Sequence, residues 1–142
     1  MKTSLTEGDR KALSAYRIEQ AEKTIQEVGF LIENNLLSTA ANRLYYACYY
    51  AALALLVMEG VSTSTHMGVK SMLSLHFVKN NIMPREILHG YILIFECRQR
   101  NDYDTFIEVD REEIDGLYQK GRAFVNCVID ILNVRDVQPG NL

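Results

Sequence analysis

The sequence predicts an all-α fold: an antiparallel bundle of four to five helices. Three observations carry that expectation. Apolar residues recur at three- and four-residue steps along nearly the whole chain. Helix start and stop signals cut this periodicity into long segments with short connections, the pattern of antiparallel neighbours. No segment alternates apolar and polar residues as a half-buried strand does, and "FIEV" at 106–109 is the one short candidate.

In the first helix Leu13, Tyr16, Ala21, Ile25, Val28, Leu31 and Ile32 make the apolar stripe. Thr6 or Asp9 can cap its start, and the asparagine pair at 34–35 ends it near Glu33. Ser38 is the expected cap of a second helix to about Glu59, and Gly60 stops it. Thr63 to Thr65 open a third helix through about Lys79, which a second asparagine pair at 80–81 ends. Pro84 suits the first turn of a fourth helix, reaching about Arg100. Asp110, with Glu113 three residues on, has the form of a capping box for a fifth helix to about Val134. Residues 1–142 read as a single domain with a frayed tail from about 135.

The second helix is unusual. Residues 44–58, "LYYACYYAALALLVM", carry no charge. The run falls short of the ~20 residues that span a bilayer, so a buried core helix is expected and no membrane partner. Tyr45/Tyr49 and Tyr46/Tyr50 are i,i+4 pairs on adjacent faces. A helix apolar all round is buried all round, which in a bundle this small requires a central position or a second subunit. The residues leave both open, a central helix or a homodimer. The tyrosines are either core and interface residues, or Asn42, Arg43 and Tyr46 line a polar cleft.

Composition excludes several classes of function. A net charge of -3 argues against a generally basic nucleic-acid binder, although residues 43–103 hold 6 Lys/Arg against 4 Asp/Glu. The start lacks the apolar core of a signal peptide, and a cytoplasmic location is expected. Cys48, Cys97 and Cys127 are far apart, without a CxxC, and read as reduced thiols. His66, His76 and His89 have no metal-ligand spacing, and no glycine-rich phosphate loop occurs. No cofactor and no metal are expected. His66, at the start of the third helix, reads as a capping or core histidine.

The candidate site is "RQRNDYD" at 98–104, where the fourth helix ends. Arg98 and Arg100 supply guanidinium groups that can take a phosphate bidentately. Arg98 and Asp102 are i,i+4 and share a face. Tyr103 could stack on a base, and Asn101 adds a donor and an acceptor. A structural alternative pairs Arg98 with Asp102 or with a carboxylate of the fifth helix.

Three stretches in order, "AANRLYYACYYAALALL" at 40–56, "THMGVKSMLSLHFVKNNIMPREI" at 65–87 and "FECRQRNDYDTF" at 95–106, resemble the HEPN family (higher eukaryotes and prokaryotes nucleotide-binding). The likeness extends from the first helix to about residue 133. It is strongest to the subgroup whose fourth helix ends Arg, a few residues, Asp-Tyr-Asp. The resemblance implies an all-α bundle that commonly dimerises, with metal-independent ribonucleases and toxin partners of minimal nucleotidyltransferases among its members. The ribonuclease members use Arg, four to six residues, then His. Here Arg98 matches the arginine, but no histidine follows residue 89, and Arg85 and His89 are too close together and upstream. Tyr103, with an ordinary pKa near ~10, is a poor base, and Asp102 or Asp104 would repel a phosphate. No catalytic residue is assigned.

The expected function is a HEPN-like nucleotide- or RNA-binding or regulatory module. It would work beside a nucleotidyltransferase in a toxin–antitoxin-like system. Its expected binding residues are Arg98, Arg100, Asn101, Asp102, Tyr103, Asn42, Arg43 and Tyr46. The alternatives are a divergent metal-independent ribonuclease and a structural dimeric adaptor.

Overall fold

The structure, a computed structural model, describes residues 5–63, 65–103 and 108–137, the side chains of the last two excepted. The described residues form helices and no strand. In order these are α1 (Glu7–Glu33), α2 (Leu37–Met58), α3 (His66–Leu73), α4 (Arg85–Tyr103) and α5 (Arg111–Val137). α3 runs directly into a π-helical turn at Ser74–Val78. Residues 106 and 107 of the candidate strand lie outside the described residues, as does Asp104, while Glu108 and Val109 lie in no regular element. α5 continues to Val137, past the expected start of fraying, and the remainder of the tail lies outside the described residues.

Local chemistry sets most helix ends. Thr6 accepts a hydrogen bond from the Asp9 N–H, and the Asp9 carboxylate accepts from the Thr6 N–H, a complete capping box. Thr65 accepts from the Gly68 N–H at 2.9 Å to start α3. Asp110 accepts from the Glu113 N–H at 2.8 Å to start α5. α1, α2 and the π-helical turn end alike. Each is followed by a left-handed residue, Asn35 at φ 61°, Gly60 at φ 73° and Asn81 at φ 60°. That residue lets the next N–H reach back across the last turn and close it. The bonds run from Leu36 to Leu31, Val61 to Leu56 and Ile82 to Phe77.

One expected cap is corrected. α2 begins at Leu37 with no side-chain cap. The Ser38 hydroxyl instead donates to Asn101 Oδ1 on α4 at 2.9 Å, and Asn101 Nδ2 donates back to the Ser38 carbonyl at 3.0 Å. A tertiary contact has taken the hydroxyl that local rules assigned to the helix end.

α2 is the centre of the bundle, packed against α1, α4, α5 and α3. No residue from Ala40 to Glu59 is fully exposed. Its small residues Ala47, Cys48, Ala51 and Ala52 are completely buried and let the neighbouring helices come close. Around them Leu44, Tyr45 and Leu55 join Val28 of α1, Ile94 of α4 and Phe124 and Val128 of α5 in one core. Gly121 marks a close approach of α5 to α2: a Cβ there would sit 2.5 Å from Leu44 Cδ1. The central position accounts for the uncharged run without a membrane. No helix among the described residues is long and apolar enough to cross one.

Candidate functional site

The antiparallel course of α2 and α4 places residue 38 opposite 101 and residues 45 and 46 opposite 98. Arg98 therefore reaches across from α4 to the tyrosines of α2. Its guanidinium carbon lies 5.1 Å from the Tyr45 ring centre and 5.3 Å from that of Tyr46. Both distances are within cation–π range. Arg98 Nη2 donates to the Tyr46 hydroxyl at 3.3 Å. Nε lies 2.9 Å from Asp102 Oδ2, an ion pair by distance, but its N–H is not aimed at the oxygen and makes no hydrogen bond. The rings fix the guanidinium while its most buried donor stays unmatched.

His66 is the residue that reasoning along the chain set aside. The first residue of α3, it is half-buried against α2. Its ring centre is 4.8 Å from Tyr49, 5.5 Å from Tyr45 and 6.5 Å from Phe95. Nδ1 hydrogen-bonds the Tyr45 hydroxyl. Burial, and then the charge of Arg98, lower the His66 pKa from its ordinary 6.5, so the ring is neutral at pH 7. Burial pushes the Tyr45 phenol up to about 12, so it keeps its proton. The neighbouring Tyr91 ring lies 6.1 Å away, and its buried hydroxyl has no hydrogen-bond partner among the described residues. Which of Tyr45 and His66 donates follows the imidazole tautomer: with the phenol as donor the ring hydrogen is on Nε2, and with Nδ1–H as donor Nε2 is an acceptor.

The other expected residues divide. Asn101 locks α4 to α2 through Ser38. Arg100 turns to α5, where Nη2 meets Glu113 Oε2 at 2.8 Å. Arg43 turns to α1, with Nε 3.7 Å from Glu27 Oε2, and so leaves the wall that faces α4. Asn42 is half-buried one turn before Tyr46, and Tyr103 is 80% exposed at the end of α4. Among the described residues no hydrogen bond or ion pair ties Asn42 or Tyr103 to Arg98. The convergent group is Arg98, Asp102, Tyr45, Tyr46, Tyr49 and His66.

This arrangement can hold an anion and a flat ring together. Arg98 is a donor, His66 Nε2 is a donor or an acceptor according to tautomer, and the aromatic rings are stacking surfaces. Metal chemistry has no matching cluster of His, Cys, Asp or Glu among the described residues. Cys48 and Cys97 are buried, and burial raises both thiols, Cys97 to about 11, so neither is a ready nucleophile. A groove of about 560 Å³ lies at the other end of α4, lined by Ile82, Pro84, Ile87, Cys127, Ile131 and Val134 among others. Its arginine, Arg135, is committed to Glu59 at 2.6 Å.

An all-α bundle with a central tyrosine-rich helix and an arginine near the end of α4 defines the class. A profile of the HEPN domain matches residues 14–132, and the chain belongs to that family. The chain is similar to two proteins of Methanocaldococcus jannaschii named as candidate toxins. One is 33% identical over 123 residues, 87% of this chain and 84% of the relative. The other is 31% identical over 130 residues, 90% of this chain and 94% of the relative. A UPF0332 protein of Thermotoga maritima is 29% identical over 120 residues, 84% of this chain and 91% of the relative.

Proposed function

We propose that this chain is a HEPN module that binds a nucleotide or single-stranded RNA at the Arg98 cluster. We infer that it acts as a homodimer, on the toxin side of a toxin–antitoxin-like pair with a minimal nucleotidyltransferase. The observation that carries the binding reading is the seat of Arg98. It lies against the rings of Tyr45 and Tyr46, and a neutral His66 hydrogen-bonds the same Tyr45. A phosphate oxygen would meet Arg98 and His66 while a base or ribose meets the rings. The toxin side rests on the names of the two M. jannaschii relatives, and the pairing with a nucleotidyltransferase on the family resemblance. The homodimer rests on the half-buried Tyr46, Tyr49 and Tyr50 of α2, aromatic surface that a second copy would cover.

Titration of AMP and of a short unstructured RNA into wild type and Arg98→Ala, with EDTA present, tests the binding reading. Wild type binds at least one probe and the variant at least tenfold more weakly; equal binding by both overturns the assignment. Sedimentation at micromolar concentration tests the assembly, with twice 16.2 kDa expected and a monomer throughout the range contradicting it.

A second reading, metal-independent RNA cleavage, is favoured by one observation: His66 and Arg98 both lie against the Tyr45 ring, although no histidine follows Arg98 in sequence. His66 would take the proton of a ribose 2′-OH as the 2′ oxygen bonds to phosphorus. The bond to the 5′ oxygen would break, that oxygen would gain a proton, and Arg98 would offset the charge on phosphorus. This requires the tautomer in which Nδ1–H donates to Tyr45 and Nε2 is left as the acceptor. Cleavage in EDTA that His66→Ala abolishes would establish the second reading over the first.

A further inference from the structure

Every arginine named for this site already faces a carboxylate. Arg98 has Asp102 at 2.9 Å, Arg100 has Glu113 at 2.8 Å, and Arg43 has Glu27 at 3.7 Å. With His66 neutral, the cluster as folded has almost no net positive charge. Asp102 is the member whose position needs an explanation. It lies in the last turn of α4, where the helix dipole disfavours a negative charge. It forms no aligned hydrogen bond with Arg98 Nε, although the distance allows one. Its side chain is 26% exposed against 16% for Arg98, so water reaches the carboxylate more easily than the guanidinium.

From this geometry we propose that Asp102 is an internal stand-in for the ligand anion. It occupies the anion position at Arg98 until a phosphate displaces it. The inference rests on the binding reading above and deepens it by stating which ligands the site takes. A carboxylate held by a misaligned contact at the wrong end of a helix dipole is easily displaced. Charge alone gains little by the exchange, because one anion replaces another on the same arginine. Ligands that add ring stacking on Tyr46, Tyr49 or His66 gain what inorganic phosphate lacks. The site therefore selects a nucleotide or an unpaired RNA segment over free phosphate and over duplex, whose bases are already stacked.

Asp102→Asn tests this, since the amide keeps the shape of the side chain and removes the charge. A fluorescent unstructured RNA oligonucleotide is titrated into wild type, Asp102→Asn, Asp102→Glu and Arg98→Ala over a series of salt concentrations. Asp102→Asn is expected to bind roughly twofold to fivefold more tightly, the span of a partly exposed ion pair. Its plot of log affinity against log salt should steepen by about 0.7, as one more cation is freed for a phosphate. Asp102→Glu restores the competitor and stays within about twofold of wild type. In wild type, inorganic phosphate should compete poorly and AMP well.

The outcomes separate the two claims. If Arg98→Ala binds the RNA as wild type does, the binding site is misplaced and both claims fall. If Arg98→Ala loses binding while Asp102→Asn gains none and its salt slope is unchanged, the site stands and the stand-in role fails. Weaker binding by Asp102→Asn with an unchanged circular dichroism spectrum also overturns the role, since Asp102 would then contact the ligand directly.

Discussion

Replacing Arg98 by alanine should destabilise the fold by about 2 kcal/mol in the absence of ligand. The guanidinium lies 5.1 Å from one tyrosine ring and 5.3 Å from another. Partly desolvated contacts of this kind contribute about 0.5–1 kcal/mol each. The hydrogen bond to Tyr46 is long, at 3.3 Å. Such a bond adds about 0.5 kcal/mol. The ion pair with Asp102 is partly exposed and misaligned. It therefore adds no more than ~1 kcal/mol. The penalty of ~3–5 kcal/mol for stranding a buried charge does not apply, because the Asp102 carboxylate can rehydrate at the end of its helix. Urea unfolding followed by circular dichroism should show a lower midpoint at constant slope. The Tm should fall by roughly 6–10 °C for a chain of this size. Arg98→Lys, which keeps the charge and loses the planar fork, should fall between the two. A loss below about 0.5 kcal/mol would mean that Arg98 is solvated and the rings do not hold it. A loss above about 4 kcal/mol would mean that the pair is a buried structural bridge, leaving no guanidinium for a ligand.

In Gly121→Ala the new Cβ meets Leu44 Cδ1 at 2.5 Å in the close α5–α2 contact. That overpacking should cost about 1–3 kcal/mol. Gly116 is on the same helix with nothing within 4 Å of such a Cβ. Gly116→Ala should stabilise by about 0.5–1 kcal/mol, and equal effects in thermal melts would contradict the packing described. Thr6→Ala removes half of the capping box and should cost about 1 kcal/mol in the same assay. His66 has its folded pKa lowered below 6.5 by burial and by Arg98, so on acidification the unfolded chain takes the proton first. The stability this residue contributes is therefore full above about pH 6.5 and declines as the pH falls from there towards the lowered value. His66→Gln should flatten that part of the melting profile, and an unchanged profile would refute the assignment.

What the sequence disclosed follows from distance along the chain. The caps at Thr6, Thr65 and Asp110 and the turns at Asn35, Gly60 and Asn81 were legible because each is settled within a few residues. Ser38 misled because its hydroxyl is taken by Asn101, 63 residues away. The π-helical turn after α3 left no signal, since its apolar spacing reads equally as α-helix. Arg98 and Asp102 could be paired from i,i+4 spacing alone. His66 could not be joined to them. Its contacts with Tyr45 and Tyr49 join separate helices and depend on how α3 meets the central one. Arg43, read as part of the same wall, faces Glu27 of α1. The helix turns it about 100° away from Asn42.

Backbone amide chemical-shift mapping during titration with AMP and with an unstructured RNA, in EDTA, tests most directly whether the α2–α4–His66 cluster, and no other surface, receives the ligand. Shifts should concentrate at residues 42–50, 65–68 and 95–103, and should be lost in Arg98→Ala while its apo spectrum shows a folded protein. Shifts confined to the groove of Ile82, Ile87, Cys127 and Val134, or none at millimolar ligand, would contradict that placement.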